Sequence, residues 1–94
     1  MPPVQITGLI GMRGDTLREA AAAIDETEPR ASETISRGRR NERVRIKLCL
    51  YFNLSYETLW GGEPKWRQVT ATLHERYEER FGAADSGARE LATA

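Results

Sequence analysis

The chain has 94 residues, 39% of them hydrophobic and 30% charged, and its 14 basic and 14 acidic residues cancel. This length suits one small domain with a marginal core that a partner subunit would strengthen. Cys49 is the one cysteine, which excludes an internal disulfide framework and points to a reducing compartment, with the cytoplasm as the expected location. No basic start precedes a long apolar run, and no apolar stretch approaches about 18 residues, so neither a leader nor a membrane span is expected.

In chain order, Met1 to Pro3 is read as an irregular start, with Pro3 suited to a first helical turn. Val4, Ile6, Leu9, Ile10 and Met12 predict a short first helix that stops at Gly14. Thr16 and Glu19 have the spacing of a capping box, which opens a second helix over Leu17 to Ile24. Thr27 and Pro29 are placed to start a third helix, running to about Ser36 and ending before Gly38. Asn41 can cap a fourth, from Glu42 to Phe52, with Val44, Leu48, Cys49 and Phe52 on one face and Arg43, Arg45 and Lys47 largely elsewhere. Asn53 stands where the chain must leave that helix, and asparagine tolerates positive φ. Ser55 caps a short fifth helix ending at Trp60, and Gly61 and Gly62 form a hinge.

Trp66, Val69, Leu73, Tyr77 and Phe81 recur at helical spacing and predict a sixth, amphipathic helix from Lys65 to about Phe81. This stripe serves either the domain's own core or a dimer interface. The last residues, 83–94, are small and polar, and a disordered tail is expected.

Charge is distributed unevenly. Arg37 to Lys47 holds six basic residues and one acid, whereas Asp25 to Glu33 holds four acids and one base. A basic cluster in a neutral chain points to a polyanion. His74 has no partner of catalytic or metal-binding spacing, Cys49 reads as a small core residue, and Trp60 as a plug beneath the fifth helix. No acid–base pair or glycine-rich phosphate loop is present, so no enzyme, metal or cofactor is expected.

From Ile6 to Trp60 the chain resembles the Xre/Cro group of helix-turn-helix regulators, most closely the small Ner-like phage DNA-binding proteins. The resemblance rests on Leu17, Arg18, Glu19, Ala20 and Ala21 opening the second helix and on Ile35 with Gly38 closing the third. It rests most of all on the run from Ile46 through Leu48, Phe52, Asn53, Leu54, Ser55 and Glu57 to Leu59 and Trp60. The family usually has Gly just after the second helix, where this chain has Asp25, and the turn is about one residue longer than usual.

The resemblance implies an all-α fold, a five-helix domain over residues 4–62 followed by a C-terminal helix over 64–82. It implies a sequence-specific transcriptional regulator, repressor-like, bound to double-stranded DNA as a homodimer. The third helix would enter the major groove, with Arg30, Ser32, Glu33, Ser36 and Arg37 as base-contact candidates. Thr16, Arg39, Arg40, Arg43 and Arg45 would hold phosphates. Trp66, Val69, Leu73, Tyr77 and Phe81 are the dimer candidates. The acidic Asp25–Glu33 segment supports an alternative, a protein-interaction module on the same fold, antirepressor or antitoxin-like.

Overall fold

The computed structural model describes residues 1–37 and 39–82; the expected helix stop at Gly38 and the expected tail at 83–94 lie outside the described residues. The described residues form six α-helices and no strand. They are α1 (Pro3–Met12), α2 (Leu17–Ala23), α3 (Glu28–Ser36), α4 (Glu42–Phe52), α5 (Tyr56–Trp60) and α6 (Ala71–Tyr77). A 3-10 turn, Trp66–Gln68, precedes α6, and a wider π-type turn, Glu78–Gly82, follows it. No helix among the described residues is long and apolar enough to cross a membrane.

Side-chain caps start five of the six helices among the described residues, and four of them, Thr16, Thr27, Asn41 and Ser55, are the caps expected from residue type. Thr16, Thr27, Asn41, Ser55 and Thr70 each accept a hydrogen bond from the backbone N–H three residues on. At Thr16 the box is complete, since the Glu19 carboxylate accepts from the Thr16 N–H at 3.1 Å. Helix α4 ends at Asn53 with φ 58°, the left-handed conformation expected of it.

Helix α4 is the axis of the core. Val44, Ile46, Leu48 and Cys49 are fully buried, so the helix is enclosed on more than one face. Ile6 and Ile10 of α1, Ala20 of α2, Ile35 of α3, Leu59 of α5 and Leu73 of α6 complete the same cluster.

The expected helix from Lys65 to Phe81 is not continuous. Val69 is extended (φ −121°, ψ 137°), Thr70 caps a new start, and only Ala71–Tyr77 is α-helical. The hydroxyl of Thr70 competes with the backbone for hydrogen bonds, which favours a cap over a helix interior. The stripe packs on the monomer nonetheless. Leu73 is buried, and Trp66, Val69, Tyr77 and Phe81 are partly buried against the core. The break lets Trp66 fold back on His74 (ring centroids 3.9 Å, planes 10° apart) and lie 5.2 Å from Tyr77.

Candidate nucleic-acid interface

Helices α2 and α3 pack on each other across a short turn. Asp25 takes φ 56°, its N–H donates to the Ala22 carbonyl, and the Glu26 N–H donates to the Ala21 carbonyl. This is the double bond pattern of a Schellman ending, which needs one left-handed residue; Asp25 fills the place that glycine usually takes. Thr27 then caps α3 and Pro29 sits in its first turn.

Helix α3 buries Ala31, Thr34 and Ile35. The Thr34 hydroxyl satisfies itself on the Arg30 carbonyl at 3.0 Å. Of the base-contact candidates, Arg30, Ser36 and Arg37 are exposed, and Ser32 and Glu33 are half-buried. Arg37 has no ion pair among the described residues. Arg39 is 77% exposed at its side chain and reaches Glu33 at 3.6 Å. Arg30 lies 3.9 Å from Glu26. Arg30, Glu33, Arg39 and Arg40 line a cleft of about 180 Å³ between α3 and the loop that follows it.

The remaining phosphate candidates do a different job. Glu26, with a side chain only 4% exposed, accepts a two-pronged contact from Arg43 (2.8 and 3.2 Å) and another from Lys47 at 2.7 Å. Glu42 is fully buried. It accepts from Arg40 Nε at 2.7 Å, from the Lys65 backbone N–H at 2.6 Å, and from the Tyr56 hydroxyl at 2.9 Å. Arg45 donates to the Tyr56 hydroxyl at 3.0 Å and lies over the Trp60 ring, whose N–H donates to the Arg45 carbonyl.

Burial by itself raises the pKa of both glutamates. In Glu26 the bonds from Arg43 and Lys47 outweigh it, and in Glu42 those from Arg40, Lys65 and Tyr56 do, so both carboxyls are held below the usual glutamate range. Two charged acids therefore bind Arg40, Arg43 and Lys47 from below. Arg45, 14% exposed at its side chain, belongs to the same network. The Arg30 and Arg39 side chains are more exposed, at 59% and 77%, than those of Arg40 and Arg43, at 40% and 41%.

The other phosphate candidate, Thr16, is exposed, but its hydroxyl accepts from the Glu19 N–H, and the Glu19 carboxylate stands at the same helix start. Sequence reasoning missed Glu42 and Glu26 as counterions. Glu42 carried no signal beyond its basic neighbours, while Glu26 was visible only as part of the acidic excess before α3. Among the described residues no group of three or more His, Cys, Asp or Glu side chains could hold a metal ion. Neither protein-family models nor curated proteins nor solved structures match the chain.

Proposed function

We propose that the chain is a small DNA-binding transcriptional regulator of the Xre/Cro helix-turn-helix type, acting as a homodimer on a short palindromic site. The observation that carries this reading is the α2–turn–α3 unit. Seven residues of helix, a turn and nine residues of helix have the proportions of the motif, and α3 keeps its outer face exposed. In this reading Arg30, Glu33 and Arg37 meet base edges, and Arg39 with the flank of the cluster meets phosphates.

The test is a fluorescence anisotropy titration of the purified chain against a duplex from the promoter of its own gene. Arg37→Ala with Arg39→Ala is the informative variant, because both side chains are exposed and neither supports a buried acid. Weaker binding to every duplex is expected, with a salt slope shallower by about 1–2. Wild-type protein that does not bind at low salt sinks the proposal.

A second reading, a protein-interaction module on the same fold, draws on the balanced face of α3, where Glu28 and Glu33 stand beside Arg30 and Arg37. A protein partner captured after nuclease treatment, and retained at high salt, favours it over DNA binding.

A further inference from the structure

Opposite in character to the basic loop is a cleft of about 490 Å³ between the start of α5, the 62–64 strap and the last helical segments. Its volume is in the range of small-molecule sites. Glu57, Glu63 and Glu78 line it together with Pro64, Trp66 and Tyr77, and among the described residues no Lys or Arg does. Glu57 and Glu63 have no side-chain ion pair among the described residues. Glu78 meets His74 at 3.2 Å.

The aromatic wall is angled. The planes of Trp66 and Tyr77 stand 59° apart, so the two rings make a corner. His74 is stacked on one face of Trp66 and does not line the cleft, so the indole surface turned to the cleft is not the one under His74. Tyr77 is fixed from behind, since its hydroxyl accepts from the Tyr56 N–H at 2.9 Å.

We propose that this cleft binds a small organic cation of the ammonium type. Three carboxylates repel anions and favour positive charge. Aromatic rings attract cations over their faces and accept an apolar body, and a diffuse organic cation is cheaper to desolvate than a metal ion. A metal is the poorer fit, because the acids come from separate elements and the described residues hold no metal-binding group. The inference is independent of DNA binding.

Choline is the probe, with sodium chloride at equal ionic strength and 3,3-dimethylbutan-1-ol, its uncharged counterpart, as comparators. The full-length ¹⁵N-labelled chain is titrated by NMR. Saturable shifts of the Trp66 indole N–H and of the Glu57 and Glu63 amides are expected with choline alone. Glu57→Gln with Glu63→Gln, both at exposed positions, should weaken that binding about tenfold or more. An otherwise unchanged spectrum confirms that the variant is folded. Shifts that fail to saturate, that appear equally with sodium or the alcohol, or that are unaltered in the variant overturn the proposal.

Discussion

Glu42 shows how one side chain can organise a small protein. It is buried, charged and satisfied by groups from three places in the chain: the loop before it, α5 and the strap before α6. Burying a charge is costly, and removing one partner of such a group strands the others. Glu42→Ala should therefore lower unfolding free energy by about 3 kcal/mol or more, read from urea denaturation. The pH dependence follows with a definite sign. Glu26 and Glu42 have folded-state pKa values below their unfolded value of about 4.3. Their contribution is present above that value and is lost as pH falls through the folded-state values. Urea midpoints taken from neutral pH down to about pH 3 should drop, and Glu26→Gln should flatten part of that drop. Cys49 is the opposite case. Burial pushes its thiol up to about 12. It should not react with a thiol-specific reagent at about pH 8 in the native protein, and should react at once in concentrated urea.

Among the elements, the ending of α2 carries the clearest consequence. Asp25 adopts a left-handed backbone that most L-residues avoid, and aspartate tolerates it better than most without matching glycine. Asp25→Gly should raise stability by about 0.5–1 kcal/mol in thermal or urea unfolding, because the Schellman bonds are made by backbone alone. Asp25→Ala should lower it. The fraction of the helices legible in the sequence was large for the same reason. Caps and endings are local rules, set by residues three or four apart, and Thr16, Thr27, Asn41 and Ser55 each obey them. Thr70 obeys them too, but its signal lay inside a longer apolar period. The stripe from Trp66 to Phe81 favoured one helix, and the cap, with Val69 extended, divided it.

For the whole molecule, the question is which cations are available to a partner. Between Arg37 and Lys47 the sequence counts six basic residues against one acid. Folding adds Glu26 and Glu33 to that neighbourhood and turns Arg40, Arg43 and Lys47 toward buried or nearly buried carboxylates. Arg43→Ala should accordingly lower stability by about 1 kcal/mol, discounted for its partial exposure. It should change DNA affinity by less than about threefold, whereas Arg37→Ala should weaken binding without loss of stability. Paired urea and anisotropy measurements on the two variants separate the roles.

The candidate site was only partly legible for this reason. Of the base-contact candidates that the resemblance implied, Arg30, Ser36 and Arg37 are exposed on or beside α3, and Ser32 and Glu33 are half-buried. Arg40, Arg43 and Arg45 were indistinguishable from Arg30 and Arg37 in sequence. The residue types alone determined an all-α chain, five of its helix starts, the left-handed place of Asn53 and the burial of α4. Each depends on backbone hydrogen bonding and apolar spacing within a few residues. Only the tertiary structure decided which charges are used up inside and which face outward. Arg43 meets Glu26 across 17 positions and Lys47 meets the same carboxylate across 21. Electrostatic pairing at such separations depends on where the helices pack, and helix periodicity contains no information about it.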